Sequence, residues 1–273
     1  MLFRSAKDGG TWPVHCVAGT WGAAFDPTLV VDGPTIGKGE DGEDGYSGFT
    51  MRDHATGAAV PTALDGLLRT AGVRQIVYLG GLGDDDPDLS HHLRSRHETG
   101  SVLAQGSVPV TTLRAAMVIG QHSASFQMLR DLVHRLPAMV TPVWVTTRTQ
   151  PIAFADLRDY LVGVCNLPEA FGRVLDVGGP EILTFQEMME RAAVLAGRRR
   201  PLILPVPVLS PELSSLWCGF VTDVDTKIAR PLVEGLRNET VCRDDAIRAL
   251  VPKPLMSFDD AVRRALAGVP LQY

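Results

Sequence analysis

The chain has 273 residues, 45% of them hydrophobic and 21% charged, enough to bury a substantial core in one large or two small globular domains. Its formal net charge is −5 and no Lys/Arg run exceeds Arg198-Arg199-Arg200, so no nucleic-acid partner is expected. Four cysteines without CxxC spacing predict reduced thiols in a cytoplasmic protein, and the absence of any run near the roughly 18 uncharged residues of a bilayer span predicts no membrane partner.

The opening MLFRSAKDGG carries a cation but no apolar h-region, so it reads as a truncated start and not as a secretory signal. Residues 1–60 are loop-rich, punctuated at Gly9-Gly10, Asp26-Pro27, Asp32-Gly33-Pro34 and 41–45. Leu64, Leu67 and Leu68 recur at helical spacing from Thr62, with Gly72 as the stop and Ile76–Leu79 as a buried strand beyond it. Helices are then predicted over Leu89–Leu103, Ser125–Leu136, Phe154–Val164 and Phe185–Leu195. Phe185, Met188, Met189, Ala192 and Leu195 form one apolar stripe on the last of these. Strands are predicted at Val110–Ile119, Val174–Val177 and Leu202–Val206. The tail suggests further segments at Pro205–Val208, Glu212–Phe220, Asp225–Leu236 and Phe258–Leu266. Alternating helix and strand predict an α/β fold with a parallel sheet.

The segment GGTWPVHCVAGTWGAAFDPTL, followed by GKGEDGEDGYSGF, resembles the middle of a nicotinamidase, an isochorismatase-like hydrolase, and the likeness extends over residues 6–75. It implies that His15 is a ligand of a divalent metal and that Lys38 belongs to an Asp-Lys-Cys triad. A lysine beside the nucleophile favours the thiolate that attacks an amide carbon. Cys16 matches the structural cysteine next to the metal ligand. The general-base Asp would precede residue 1, however, and Gly80-Gly81-Leu82-Gly83 stands where the nucleophilic cysteine should follow. A metal is therefore expected only if the chain is a nicotinamidase-type amidohydrolase, and intact hydrolysis is not expected.

From Ile76 onward the sequence resembles the atypical short-chain dehydrogenase/reductases related to NmrA. YLGGLG at Tyr78–Gly83 matches the end of that family's fourth strand, and HLRSRHE at His92–Glu98 stands where its Tyr-x-x-x-Lys occurs. His92 takes the Tyr position and Arg96 the Lys position, which makes them the catalytic candidates, while Gly80-Gly81 replaces the usual Ser. An Arg can donate to ribose hydroxyls, but by its high pKa it is not expected to tune an acid as Lys does. The alternative for His91, His92 and His97 is a polar helix face, and for Arg94, Arg96 and Glu98 a set of solvated surface partners. LRAAMVIGQHSASF at Leu113–Phe126 resembles the segment passing the nicotinamide, so Gly80, Gly81, Arg96, Arg114, Ala115 and Gly120 are the implied cofactor-binding residues. TRTQPIAFADLRDYL at Thr147–Leu161 places Asp156 in a first helical turn, where it complements the dipole. In LDVGGPEILTFQEMM at Leu175–Met189, Thr184 and Glu187 spell a capping box.

The family's glycine fingerprint for the pyrophosphate should lie about 70 to 80 residues before the fourth strand, where this chain has nicotinamidase-like sequence instead. Asp84-Asp85-Asp86 would repel phosphate after Gly83. The unmatched MLFRS start points to an artefactual or truncated reading frame joining two partial families in one helix–strand unit. With the first three strands gone, Ile76–Leu79 is expected either as a sheet edge or as the place where the N-terminal fragment adds strands, for which Leu29–Val31 and Pro34–Ile36 are candidates. The expected fold is a partial Rossmann-like parallel sheet with a mostly helical C-terminal cap, divided as 1–75, 76–200 and 201–273. The expected function is an NAD(P)-binding atypical short-chain dehydrogenase/reductase-like protein, an oxidoreductase impaired by truncation, with weak or lost NAD(P) affinity. Its partner would be a small-molecule ligand, and its oligomeric state is left open. A nicotinamidase-type amidohydrolase and a non-catalytic dinucleotide sensor or interaction protein are the alternatives.

Overall fold

The computed structural model describes residues 50–52, 59–84, 89–206 and 233–268. His15, Cys16 and Lys38, the strand candidates Leu29–Val31 and Pro34–Ile36, the helix candidate Glu212–Phe220, and residues 207–208 and 225–232 of the neighbouring candidates lie outside the described residues. The chain divides into two compact units, residues 1–74 with 101–108, and residues 75–100 with 109–273.

In the first unit β1 (Thr50–Arg52) and β2 (Ala59–Pro61) form an antiparallel pair with Thr50 opposite Pro61. Helix α1 (Leu64–Thr70) follows, with no buried residue. Gly72 ends it at φ +70°, where Gly72 N–H donates to Arg69 O and Val73 N–H to Leu68 O, the double closure of a Schellman stop. Asp65 accepts from the Ser107 backbone and hydroxyl at 2.7 to 3.1 Å, and these bonds hold its carboxyl below the usual range.

The second unit is built on a parallel sheet of β3 (Ile76–Gly81), β4 (Val110–Ala115) and β9 (Val174–Val177), in the order β3-β4-β9. Ile76 faces Val110 and Gly81 faces Ala115 on one side of β4, and Thr112 faces Val174 on the other. Among the described residues β3 is thus an edge, and none of its residues is fully buried. The single strand expected over Val110–Ile119 is two. Pairing with β3 stops where Leu82 N–H donates to Ala115 O, and β5 (Val118–Ile119) turns away to pair with β8 (Ile152–Ala153). Gln75 closes the other end of the sheet, donating to Thr111 Oγ1 and Val164 O and accepting from Asn166 N–H.

Helix α2 (His91–Leu103) covers one face, held by the Tyr78 hydroxyl donating to Arg96 O. Glycine permits this closeness at Gly81, where a Cβ would stand 2.6 Å from Leu93 Cδ2. On the other face α4 (Phe154–Gly163) buries Leu157 and Tyr160 with Leu113, Leu175 and Ile152. Helix–sheet–helix layering is the outcome the alternating pattern implies.

A second core gathers α3 (Ala124–Arg135), α5 (Phe185–Leu195) and the amphipathic C-terminal helix Phe258–Leu266. It draws on residues from both sides of residue 200. The capping box at α5 is present, Thr184 Oγ1 accepting from Glu187 N–H and Glu187 from Thr184 N–H. Its apolar stripe is buried at Phe185, Met188, Met189 and Ala192. Arg191 bonds Glu181 and Asp259 at 2.8 Å and lies 5.1 Å over the Phe258 ring, which ties α5 to the last helix. Beside this core β6 (Ala138–Pro142), which the sequence reading missed, pairs in parallel with β11 (Leu202–Val206). Antiparallel β7 (Arg148–Thr149) and β10 (Leu183–Thr184) complete the strands. Helix α6 (Ala246–Leu250), too short to show a period, precedes the last helix, α7 (Phe258–Leu266). No described helix is long and apolar enough to cross a membrane.

Candidate functional site

In an open parallel sheet, ligands bind beyond the carboxyl ends of the strands, where loops and helix ends leave a crevice. Two cavities lie there in the second unit. The first, of about 310 Å³, is walled by the ends of β3 and β4 and by α2. Gly80, Gly81, Ala115, His92 and Arg96, expected from sequence as site residues, all line it. His92 and Arg96 meet there because four residues on a helix make one face.

Burial pushes the His92 imidazole below its ordinary pKa, Arg96 pushes it further the same way, and Glu234 opposes both. His92 is therefore neutral at neutral pH. Arg96 acts on His92 through its fixed charge, which makes the imidazolium a stronger acid. His97 bonds through Nε2 to Gly81 O at 3.1 Å and so holds the strand end.

Arg114 lines neither cavity. Its guanidinium bonds Asp176, its register neighbour on β9, at 2.7 and 2.8 Å, and Asp176 is buried and also accepts from Arg243 N–H. The guanidinium expected at the cofactor is thus engaged in a cross-strand ion pair between β4 and β9. Gly120 lines the second cavity, and a Cβ there would stand 2.9 Å from Phe154 Cβ, so glycine is needed for packing as well.

Ser125 and Met128 of α3, Thr149, Phe185, Leu236 and Thr240 also line the first cavity. Sequence reasoning missed them, since they come from four separate segments and carry no local motif. Thr149 and Thr240 are joined by a hydroxyl–hydroxyl bond of 2.7 Å. Cys242 carries no reactive thiol: burial, then Asp176, pushes its pKa up to about 12. Among the described residues no three His, Cys, Asp or Glu side chains converge as metal ligands.

Solved structures superpose on about three quarters of the chain. An NADPH-dependent quinone oxidoreductase from Escherichia coli, complexed with NADPH, has a TM-score of 0.59 at 16% identity over 74% of this chain and 69% of its own. The chain shares the Rossmann-type α/β fold. A triphenylmethane reductase from Citrobacter sp. gives a TM-score of 0.56 at 18% identity, covering 75% of this chain and 69% of that one. A nucleoside-diphosphate-sugar epimerase from Staphylococcus aureus gives 0.55 at 16% identity, covering 73% and 68%. No family model and no curated protein matches the sequence.

Proposed function

We propose that the second unit is an atypical reductase-like module that receives the nicotinamide end of NAD(P)H in the first cavity, with its hydride transfer impaired. One observation carries this reading: Gly80, Gly81, His92, Arg96 and Ala115 converge at the carboxyl ends of two parallel strands. At about 310 Å³ the cavity is at the lower end of ligand pockets, roughly 300 to 1,000 Å³, so a nicotinamide riboside fits better than a whole dinucleotide. Arg96 would donate to ribose hydroxyls and the Gly80-Gly81 backbone would let the ring approach. The dinucleotide, when bound, supplies the hydride. His92 is the one titratable group of this wall that can move a proton at neutral pH, through its imidazole nitrogens.

Among the described residues ahead of β3 the only glycines are Gly66, inside α1, and Gly72, at its stop, so none forms a strand-to-helix phosphate turn. With nicotinamidase-like sequence where the family's phosphate turn is expected, NADPH and NADH should bind with dissociation constants of about 1 mM or weaker. Calorimetric titration of the full chain tests this, and a micromolar constant would sink the reading of a cleft without a phosphate turn. Replacement of the Tyr and Lys positions by His92 and Arg96 favours a second reading, a dinucleotide sensor without turnover. It predicts that His92→Ala lowers NADPH affinity while NADPH consumption stays at blank with and without quinone acceptors. The nicotinamidase-like residues 6–75 are read as a segment without hydrolase activity, because Gly80-Gly81-Leu82-Gly83 stands where the nucleophilic cysteine should follow. Ammonia release from nicotinamide above blank, abolished by Lys38→Ala, would overturn that.

A further inference from the structure

The second cavity is the larger, about 610 Å³, and its walls are mostly apolar. Leu79 and Val118 line both cavities, whereas Phe154, Leu157, Met256 and Ala261 line this one only. Leu79 is 38% exposed and Phe154 43%, so apolar surface stands open to water at this place. One wall is α7, whose buried face is Phe258, Ala261, Val262 and Ala265. The charges of α7 are nearly all matched. Asp259 bonds Arg191, and Asp260 accepts from both Arg263 and the Ser257 hydroxyl. Arg264 is the exception: it lines the cavity and, among the described residues, has neither an ion-pair nor a hydrogen-bond partner.

An unmatched guanidinium at an apolar cavity selects a ligand with two parts. The apolar body gains from leaving water, and a planar anion at its end meets the two-pronged guanidinium. We infer that the second cavity is a binding site for an amphipathic carboxylate, its hydrocarbon part against Phe154, Leu157 and Met256 and its carboxylate on Arg264. Polar groups at the same wall, Gln121, His122 and Ser123, suit a wet headgroup end. Gly120, one of the expected cofactor residues, lines this cavity, but neither His92 nor Arg96 does, so Arg96→Gln separates the two sites.

The test is a titration of the full chain with hexanoate, octanoate and decanoate, against octanol as the uncharged counterpart, followed by calorimetry or ligand-observed NMR. Octanoate should bind about tenfold more tightly than octanol, the scale of one charge-assisted contact. Each added methylene should tighten binding by about fourfold. Arg264→Gln should abolish the preference for carboxylate and leave octanol affinity unchanged, and Arg96→Gln should change neither. Ala155→Phe, filling the cavity from a half-buried wall position, should abolish both ligands with the thermal midpoint kept. Equal binding of octanoate and octanol overturns the proposal. So does a carboxylate preference that survives Arg264→Gln, binding lost with Arg96→Gln, or binding that survives Ala155→Phe. A chain that dimerises through this face and binds none of the probes would overturn it as well.

Discussion

His92 feels burial and Arg96 with the same sign, and Glu234 opposes them as the smaller influence. Its pKa in the folded chain is therefore below the unfolded value of about 6.5. The consequence for stability follows from proton counting. Below about pH 6.5 the unfolded chain takes up a proton that folded His92 resists, so this residue's contribution is complete above that pH and is lost as pH falls. An NMR titration should place the His92 midpoint below about 6.5, and Arg96→Gln should move it upward without bringing it to the unfolded value, because burial is the larger cause. A wild-type midpoint at or above the unfolded value would refute the assignment. The same pair shows how far residue identity reaches: the family resemblance singles out His92 and Arg96 as candidates, while the depression of His92 requires knowing what buries it.

At the scale of elements, charged side chains fasten α4 to the segment that leads into α7. Asp156, in the first turn of α4, is 4% exposed, bonds Lys253 at 2.8 Å and accepts from Met256 N–H. Lys253 reaches Asp159 too, at 2.6 Å. Burial works against the Lys253 charge, but the two carboxylates outweigh it and raise its pKa. The pair's contribution is thus complete below the unfolded lysine value of about 10.4 and is lost only as pH climbs through the raised one. The sequence marked Asp156 as a helix-dipole residue, and it is that, but the longer reach to Lys253, 97 positions away, has no local signature. Lys253→Met should cost about 3 kcal/mol in urea unfolding, since it leaves a buried carboxylate unpaired. The double variant with Asp156→Asn should cost clearly less. A single-variant loss under about 0.5 kcal/mol, the size of an exposed pair, would show that Asp156 is better solvated than its burial indicates.

For the molecule as a whole, the decisive feature is that β4 has strands on both sides and β3, among the described residues, on one. Amides of Val110–Ala115 should be the slowest to exchange in the chain, and those of Ile76–Gly81 that do not face β4 should exchange much faster. Equal protection across β3 would mean that a segment outside the described residues pairs with its free edge. The sequence by itself determined the alternation of helix and strand, the bounds of β9, α5, β11 and α7, the glycine stop of α1 and the α5 capping box. These rest on periodicity, capping and backbone permissiveness, which act within a few residues. Tertiary structure alone decided that 110–119 splits into β4 and β5, that β6 pairs with β11, that Arg114 turns to Asp176, and that Met128, Phe185 and Leu236 meet His92 around one cavity. Strand pairing, ion pairs between neighbouring strands and cavity walls are set by which distant segments come to lie side by side, and no window of sequence contains both partners.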